Sequence, residues 1–504
     1  MKKIVVLILV LAMAFSLVAC SKTDTPVDAK EKVEITVGLY MLTNSLDALA
    51  EDLVPANIIM YHVYDRLVNF VPDSITWVPG IAKSWKQVDE RTMEFEINLD
   101  YKFHNGDQLT MDDIVFSLMR LKEIPKIASV GDLIESITYN GTTLTIKGIN
   151  ADNALHHKII SKAVIMSKKY VEEKGEDALV KAPVGTGPYM ITEFTPGATA
   201  TIEAYEGYPF AKPAIDIIHF ILIQEVSPRY MALETGQIQA THNLTTYEIG
   251  MAEENPKLST LYGSSFLVHC LIINTEREPF DRTNIRRALA YAFNREGFCS
   301  LKGGRRSIET TLFIGAEDFM RVAPDFPGYD LDKARELLEA EGYTPANPLR
   351  FVLTCNTESD PGLEMYQSDL KTIGVEMTFD IVEFSVFLPT EGAGNFDLAY
   401  TPQPNMGNHP FTDVDRYDIN MIGMRDTSRF FHPRAQEIID QFRFIPIDDP
   451  KLKVLADELT DIIGYEMPMI PIYLSEEFCA FDSRIAGVEA DNRVISFRNC
   501  TWTP

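Results

Sequence analysis

The hydrophobic residues of this chain change their spacing repeatedly along its length, from every second residue to every third or fourth. Spacing by two, which is typical of half-buried strands, occurs at 34–40 (EITVGLY), 93–99 (MEFEINL) and 375–382 (VEMTFDIV). Helical spacing occurs in the segments NIRRALAYAFNR, DLDKARELLEAEGY, LEMYQSDLKTIG and KLKVLADELTDII. Because strands and helices alternate over 504 residues, the sequence predicts an α/β protein with more than one domain.

The charge limits the kinds of partner that such a protein can have. Seventy-three acidic residues against 46 lysines and arginines give a formal net charge of −27. A protein that binds nucleic acid needs a basic surface to neutralise phosphates. The sequence therefore argues against nucleic acid as a partner.

The N-terminal segment has the pattern of an export signal. Two lysines precede an apolar run over 4–19, which is short for a membrane span and suits a signal peptide that is later removed. The sequence LVAC, which ends at Cys20, resembles a bacterial lipobox, and this implies cleavage before Cys20 and lipid attachment to it. Residues 20–33 would then be the lipidated cysteine and a polar tether. We expect an extracytoplasmic protein that is anchored to the cell membrane, or to its periplasmic face, through Cys20.

The other five cysteines are widely spaced and form no C-x-x-C motif. They are Cys270, Cys299, Cys355, Cys479 and Cys500. We expect most of them to be buried as small hydrophobic residues. Their spacing leaves open whether any two form a disulfide.

The segment 103–118 (FHNGDQLTMDDIVFSL) holds a histidine and three aspartates, which raises the question of an active or metal site. Each polar residue also has a structural interpretation. Asn105-Gly106 favours a tight turn, and Thr110 and Asp113 have the spacing of a helix N-cap and its reciprocal contact. No second histidine follows His104 at helical spacing, so we interpret this segment as structural.

Several segments share a further property: each matches, in the same order, a motif of one protein family. They are AKSW (82–85), FHNG (103–106), PVGTGPY (183–189), MALETGQIQA (231–240), the segment 272–295, LKTIGVEMTF (370–379), NFDLAY (395–400) and MPMIPIY (467–473). With these motifs the chain resembles the family 5 extracellular solute-binding proteins, the oligopeptide, dipeptide and nickel receptors of ABC importers. Asp100 departs from the pattern, since a basic residue usually follows the leucine there, and this concerns a local surface contact.

The resemblance implies an α/β, two-lobed periplasmic-binding-protein-like fold (type II, family 5) with an extra subdomain in the first lobe. The core of lobe I would comprise 34–66, 183–276 and 466–504. The additional subdomain of lobe I would comprise 67–182, and lobe II would comprise 277–465. A ligand would be enclosed between the lobes and would stabilise their closed arrangement.

The resemblance also implies a function. The chain would be the substrate-binding lipoprotein of an ABC importer, a monomer that captures a peptide or a peptide-sized organic ligand and delivers it to a permease and its ATPase. It would be no enzyme and would carry no cofactor. Two alternatives stay open: a receptor for nickel or a metal chelate with the same fold, and a receptor that senses its ligand without uptake.

An enzyme is the rival class, and the sequence offers little for it. The motifs G-x-S-x-G and H-E-x-x-H, which would indicate a hydrolase, are absent from the chain. The glycine loop 185–188 (GTGP) lacks the lysine of a phosphate-binding P-loop, so we interpret it as a tight turn. We therefore predict no catalytic residue.

The candidate ligand-binding residues share one location, the loops at the inner ends of strands. They are Tyr40, Met41, Thr43 and Asn44 after the first strand; His242, Asn243 and Thr245 after 231–240; and Tyr400, Gln403, Asn405, Met406 and His409 in the second lobe.

The second-lobe segment departs from its peptide-binding relatives at one position. Those relatives often read G-W-x-x-D-x-x-D-P, in which the first aspartate pairs with the α-ammonium of the peptide, whereas this chain has Met406 there. A methionine cannot donate the charge-assisted contact that a buried ammonium needs. Asp413 or Asp415 would take that role if the alignment shifts by several residues. Met406 and His409 also suit a bound metal chelate, but no cluster of ligand residues predicts a metal site built by the protein alone.

Overall fold

The computed structural model describes residues 32–50, 54–70, 77–125, 127–149, 153–302, 307–314, 318–356, 360–404, 414–442, 444–445, 449–491 and 494–503. The strands in chain order are β1 Glu34–Leu39, β2 Val68–Phe70, β3 Trp77–Pro79, β4 Ala82–Asp89, β5 Thr92–Ile97, β6 Ile134–Asn140, β7 Thr143–Gly148, β8 Tyr189–Thr195, β9 Thr199–Ala204, β10 Ile217–Leu222, β11 Ala240–Thr241, β12 Leu258–Ile273, β13 Leu349–Cys355, β14 Val375–Ile381, β15 Leu398–Pro404, β16 Met469–Asp482, β17 Ile485–Ala486, β18 Glu489–Asp491, β19 Val494–Ser496 and β20 Thr501–Trp502.

The helices in chain order are α1 Val54–Val63, α2 Met111–Arg120, α3 Ala128–Gly131, α4 Asn153–Lys162, α5 Lys168–Lys174, α6 Asp177–Lys181, α7 Val226–Glu234, α8 Thr246–Glu254, α9 Thr283–Tyr291, α10 Arg295–Leu301, α11 Leu331–Ala340, α12 Pro361–Thr372, α13 Phe384–Ala393, α14 Pro433–Phe442 and α15 Pro450–Glu466. Two short 3₁₀ helices lie at Val414–Tyr417 and Ile419–Met421. The strands and helices that the hydrophobic spacing predicts are all present, which confirms the α/β fold class.

A mixed ten-stranded sheet organises the molecule, in the order β14-β13-β15-β12-β16-β11-β1-β10-β9-β8. The antiparallel strands β12 and β16 are its longest members, with 16 and 14 residues. They pair along almost their whole length, and the register shifts between Ser264 and Val268. Strands β14, β13 and β15 lie on one side of this pair, and β11, β1, β10, β9 and β8 lie on the other.

A second sheet, β4-β5-β7-β6, is antiparallel and stands apart from the large one. Buried residues alternate along its two inner strands, as in Phe95 and Ile97 of β5 and Leu144 and Ile146 of β7. Helix α4 follows this sheet and packs against it through His156, which is only 2% exposed. The sheet lies within the range that the sequence assigns to an additional subdomain.

Two separate hydrophobic clusters lie against the two faces of the large sheet around β12 and β15. One cluster includes Leu271, Phe298, Leu353 and Tyr400 and is covered by α9 to α12. The other is formed largely by residues of β12 and of helices α14 and α15. A third cluster lies in the first lobe, around α7, α8 and β11.

The segment 103–118 has the structural role that its sequence predicts. The Thr110 side chain accepts from the backbone N–H of Asp113, and the Asp113 side chain accepts in return from the backbone N–H of Thr110. His104 Nε2 donates to the carbonyl of Gly187 (3.0 Å), and His104 Nδ1 accepts from the backbone N–H of Gly185 (3.3 Å). Burial lowers the pKa of His104 to about 4, so the ring is neutral. The structural interpretation is confirmed.

Close backbone contacts explain the glycines of the loop 185–188. A Cβ at Gly185 would lie 2.1 Å from the carbonyl oxygen of Val63, and a Cβ at Gly187 would lie 2.6 Å from that of His62. Since no side chain fits at that separation, the loop is a site of close backbone approach rather than a phosphate cradle.

Replacing His104 with alanine should lower the free energy of unfolding by about 1–3 kcal/mol, because two hydrogen bonds between loops and a ring contact with Tyr205 are lost. Ligand affinity should stay within about threefold, since these contacts serve the scaffold alone. Urea unfolding and calorimetric titration measure the two effects. His219→Ala, in the exposed face of β10, is the matched control and should change neither. Loss of binding without loss of stability in His104→Ala would contradict the structural interpretation.

All five cysteines after the N-terminal segment are buried and carry free thiols. Burial raises the pKa of the Cys299 thiol to about 11 and the pKa of the Cys270 and Cys500 thiols to about 12. Their prediction as small hydrophobic residues is confirmed, and no two of them form a disulfide in the structure.

The predicted signal peptide, Cys20 and most of the tether lie outside the described residues. Among the residues that the structure does describe, no helix is both long enough and apolar enough to cross a membrane.

Candidate ligand-binding site

The topology of the large sheet brings the predicted loops of the two lobes toward the middle of the long strand pair. β1 and β11 are parallel neighbours, with Gly38 opposite Thr241, and β11 pairs with the outer half of β16. β15 is antiparallel to β12, and its last residue, Pro404, lies opposite Leu267. β11 and β15 therefore both end near the register shift between Ser264 and Val268.

The two loops of the first lobe contact each other directly. The rings of Tyr40 and His242 lie 5.4 Å apart and are tilted by 58°. His242 is 1% exposed, whereas Tyr40 and Met41 are half-buried. Asn44 is exposed. The sequence prediction that these loops share one surface is therefore consistent with the structure, with Tyr40 as the aromatic side chain best placed on it.

Thr43 and Thr245 have roles inside the loops. Thr43 is fully buried, and its hydroxyl donates to the carbonyl of Ser45 (2.7 Å). The Thr245 hydroxyl donates to the carboxylate of Glu248, which also accepts from Ser227 (3.0 Å). These hydrogen bonds shape the loops, so neither threonine hydroxyl points outward for a ligand.

Arg229 of α7 links the segments at the ends of β10 and β11. Its Nε donates to the Thr241 hydroxyl (3.0 Å), and its other nitrogens donate to the carbonyls of Ile223 (2.9 Å), Gln224 (3.0 Å) and Asn243 (2.8 Å). The guanidinium is 1% exposed, and burial lowers its pKa. One buried side chain therefore sets the path of the chain after both β10 and β11.

The Arg229 contacts account for an unusual backbone conformation in the second of these loops. Asn243 has a φ of 55°, in the left-handed region that asparagine tolerates better than most residues. Its carbonyl accepts from Arg229, and the Thr241 hydroxyl donates onward to the carbonyl of Gly38 (2.9 Å). The loop is thus tied to the first strand as well as to α7.

The second lobe contributes a buried polar group next to the end of β15. Gln403 is 8% exposed, and its Nε2 donates to the carboxylate of Glu391 (2.9 Å). Arg416 donates to the side-chain amide oxygen of Gln403, Oε1 (3.5 Å). Burial raises the pKa of Glu391, while its hydrogen bonds with Thr427 and Gln403 oppose that rise. Gln403 therefore holds the end of β15 in place as part of a buried network.

Tyr400 lies deeper than a ligand contact would. It is 6% exposed and belongs to the hydrophobic cluster that contains Phe298. Its hydroxyl lies 3.4 Å from His269 Nδ1, and burial raises its pKa. The other predicted residues of this lobe, Asn405, Met406 and His409, lie outside the described residues, as does Asp413.

An ion pair brings together two parts of the chain that are 257 residues apart. Lys158 Nζ of α4 lies 3.3 Å from Asp415 Oδ2, in the 3₁₀ helix Val414–Tyr417. The side chain of Asp415 is 7% exposed and that of Lys158 is 24% exposed. Asp415 was an alternative ligand residue from the sequence, and its neighbour Arg416 contacts Gln403. Arg229, which contacts Thr241 and Asn243, is a residue of the candidate site that the sequence reasoning missed.

The described residues hold no group of three or more histidine, cysteine or acidic side chains that could bind a metal ion. The site instead combines an aromatic surface, backbone loops and buried charges. Such a surface suits an organic ligand that is bound between bodies that hinge.

This architecture defines a class: two-lobed binding proteins whose lobes are joined by strands and meet around a solute. The chain belongs to the bacterial extracellular solute-binding proteins, family 5, whose middle-region model matches residues 76–418. This confirms the family and the two-lobed fold expected from the motifs. Proteins of this family bind solutes outside the cytoplasm and are not enzymes.

Individual relatives cover most of the chain. The chain is 26% identical to di/tripeptide-binding protein 2 of Pseudomonas aeruginosa over 84% of its length and 86% of the relative, and 23% identical to heme-binding protein A of Haemophilus influenzae over 84% of each. The solved structure of HbpA2 from Haemophilus parasuis superposes with a TM-score of 0.84 at 19% identity, over 94% of this chain and all of that one. Further relatives are named for dipeptides and for nickel.

Proposed function

We propose that this protein is the substrate-binding component of an ABC importer and that it captures a peptide or a peptide-sized organic ligand between its lobes. The observation that supports the proposal is that β1, β11 and β15 all end near the centre of the β12 and β16 pair. A ligand there contacts both lobes at once, so its binding energy favours the closed arrangement. The closed form would then present a composite surface to a membrane permease.

The proposed lobes follow the sequence boundaries. Lobe I would comprise 34–66, 183–276 and 466–504 with the subdomain 67–182, and lobe II would comprise 277–465. The separate sheet β4-β5-β7-β6 and the separate hydrophobic clusters support these boundaries. Bending would be concentrated at the register shift of β12 and β16.

We propose that the protein reaches its site of action by export and stays there through a lipid. The apolar segment 4–19 and the sequence LVAC support removal of a signal peptide and lipidation of Cys20. A monomer on a short tether would meet its permease at the same membrane.

A nickel or metal-chelate receptor is the second candidate, because some relatives are named for nickel. The ligand of such a receptor would be a complex that brings its own donor atoms. A sensing receptor would share the same site and differ only in its partner.

Thermal unfolding of the exported form (residues 20–504, without lipid) tests the function. A true ligand should raise Tm by mass action on the folded state. The panel is di- to pentapeptides, nickel–histidine chelates, oligosaccharides and haem. A rise with peptides supports the leading proposal, and a rise with chelates alone supports the second candidate. The absence of any rise across the panel would contradict both.

Replacing Tyr40 with alanine should weaken the ligand found in this way by about tenfold or more, because the half-buried ring is the main aromatic contact of the first lobe. Tyr139→Ala, an exposed tyrosine of the separate sheet, is the matched control and should bind normally. Calorimetric titration measures both. Equal affinity of the two variants would remove Tyr40 from the site.

A further inference from the structure

The loop over residues 40–50 follows β1 and carries the first group of candidate ligand-binding residues. None of its residues belongs to a helix or a strand, so contacts with other parts of the chain set its path. The backbone N–H of Leu46 donates to the carbonyl of Val180 (2.9 Å), and the carbonyl of Thr43 accepts from the backbone N–H of Gly197 (2.9 Å). A side chain of the loop provides a further anchor.

That anchor is Asp47, which is 4% exposed. Its Oδ1 accepts from the backbone N–H groups of Leu49 (3.1 Å) and Ala50 (3.4 Å). Arg120 donates to both carboxylate oxygens, from Nη1 to Oδ1 (3.0 Å) and from Nη2 to Oδ2 (2.7 Å), and a two-pronged contact of this kind fixes orientation as well as distance. Burial alone would raise the pKa of Asp47, but the hydrogen bonds and charge of Arg120 and the two backbone N–H groups hold that pKa below its ordinary value. The carboxylate is therefore ionised.

Arg120 belongs to a different part of the chain. It is the last residue of α2, within the range 67–182 of the proposed additional subdomain, and it is 1% exposed. Its Nη1 also contacts Met166 Sδ (3.7 Å), and its Nη2 also donates to Glu176 Oε2 (3.0 Å). The side chain of Glu176 is 60% exposed, so water screens that contact and Asp47 is the principal partner. The arginine therefore links the proposed subdomain to the loop 40–50.

We propose that Arg120 is a positioning residue of the ligand-binding site. By holding Asp47, it keeps the loop in the conformation in which Tyr40 lies beside His242 and is offered to a ligand. This inference rests on the proposed function and goes beyond it, because it gives the additional subdomain a part in ligand binding. A loop that is in its binding conformation for only a fraction of the time lowers the affinity by that fraction.

The pair is suited to set a conformation more than to add stability. Removing one partner of a buried ion pair leaves an unpaired charge and is costly, whereas replacing both partners with neutral side chains is often nearly neutral, because desolvation offsets their attraction. Arg120→Met breaks the pair and leaves the carboxylate unpaired. Asp47→Asn/Arg120→Met also breaks the pair but leaves no charge, and the asparagine still accepts from Leu49 and Ala50. The double variant should therefore recover at least half of the Tm that Arg120→Met loses, without recovering the position of the loop.

A matched control lies in the proposed second lobe. Arg286 of α9 is another buried arginine, since its side chain is 3% exposed and its Nη2 lies 2.7 Å from Glu466 Oε2. Its Nη1 donates to the carbonyls of Phe280 (2.9 Å) and Asp281 (3.0 Å). Arg286→Met should therefore lower Tm without a direct effect on the loop 40–50.

The first experiment needs no ligand and follows amide hydrogen exchange of the loop 40–50 by mass spectrometry. Exchange should be about tenfold faster than in wild type, or more, in both Arg120→Met and the double variant, and it should keep the wild-type rate in Arg286→Met. If Arg120→Met does not fold, the double variant decides the result. Wild-type exchange in the double variant, or equal acceleration in Arg286→Met, would overturn the proposal.

The second experiment measures affinity by calorimetric titration with two probes, trialanine and the nickel–histidine chelate, at a temperature at which every variant is folded. A probe that wild type binds should bind the double variant about tenfold more weakly, and should bind Arg286→Met within about threefold of wild type. An affinity that returns together with Tm in the double variant would show that the pair serves stability alone and would refute the positioning role. If wild type binds neither probe, that result counts against the proposed function, and the exchange experiment still decides what Arg120 does to the loop.

Discussion

Arg229→Met should destabilise the protein by on the order of 4 kcal/mol and should abolish measurable ligand binding. The guanidinium donates to three backbone carbonyls and one hydroxyl, all away from water. Methionine fills a similar volume and donates nothing, so these acceptors lose their partners inside the protein. Each buried acceptor that is left unpaired costs about 1–3 kcal/mol, and relaxation of the loops recovers part of the sum.

The effect on binding follows from where those acceptors lie. Ile223 and Gln224 begin the segment after β10, Thr241 is the last residue of β11, and Asn243 lies in the loop after β11 that carries His242. Without the arginine, the left-handed backbone of Asn243 loses the contact that holds it. The loop should then sample other conformations, and the surface formed with Tyr40 should be populated for only part of the time.

Two further variants separate the role of Arg229 from general damage. Arg229→Lys keeps the charge but cannot reach four acceptors, so it should fall between wild type and Arg229→Met in both stability and affinity. Arg335→Met removes an exposed arginine with a surface ion pair and should leave both quantities unchanged. Urea unfolding, and calorimetry with the ligand found in the thermal screen, measure them. Wild-type affinity in Arg229→Met would show that the loops hold their shape without the arginine.

Interactions between residues that are close in sequence made much of the fold predictable. The strands over 34–39, 92–97 and 375–381 and the helices over 283–291 and 331–340 lie where hydrophobic spacing places them. The capping signal was equally reliable, because Thr110 accepts from the backbone N–H of Asp113 as an N-cap should. In each case, residues within about four positions of each other determine the outcome.

The buried charges of the site were not predictable in the same way. Lys158 and Asp415 meet across 257 positions, and Arg229 donates to backbone carbonyls, which carry no sequence signal. The motif NFDLAY locates β15 correctly, yet Tyr400 at its end packs inward beside Phe298, because alternation along a strand decides which face each residue takes. Sequence indicated candidate loops, and tertiary packing decided which of their side chains are buried.

The histidines of the scaffold make folding stability depend on pH. His62 is fully buried in α1; its Nδ1 donates to the carbonyl of Ile58 (2.7 Å), and its Nε2 accepts from the backbone N–H of Phe497 (2.9 Å). Burial, together with a smaller effect of nearby Arg498, lowers the pKa of His62 to about 3, although the hydrogen bond to Ile58 opposes the shift. Burial likewise lowers the pKa of His104 and of His156 to about 4.

The sign of this dependence follows from proton counts. A histidine whose pKa is lower in the folded than in the unfolded state binds its proton only after unfolding, so its contribution to stability is lost as pH falls below about 6.5. Asp426 acts in the opposite sense. Burial raises the pKa of Asp426 to about 7, so the folded state takes up a proton there and gains stability as pH falls through 7.

Between about pH 4.5 and 6, each histidine of this kind adds about 1.4 kcal/mol per pH unit to the slope of unfolding free energy against pH, and Asp426 subtracts about the same amount. His62→Gln should therefore make the slope shallower by about 1.4 kcal/mol per pH unit, because glutamine can offer an amide in place of the ring and does not titrate. Asp426→Asn should make the slope steeper by a similar amount. Urea unfolding at half-unit pH steps measures both slopes, with His219→Ala, an exposed histidine, as the control. Parallel slopes for wild type and His62→Gln would mean that His62 is already protonated in the folded protein, and its contact with Phe497 would then have to be absent in solution.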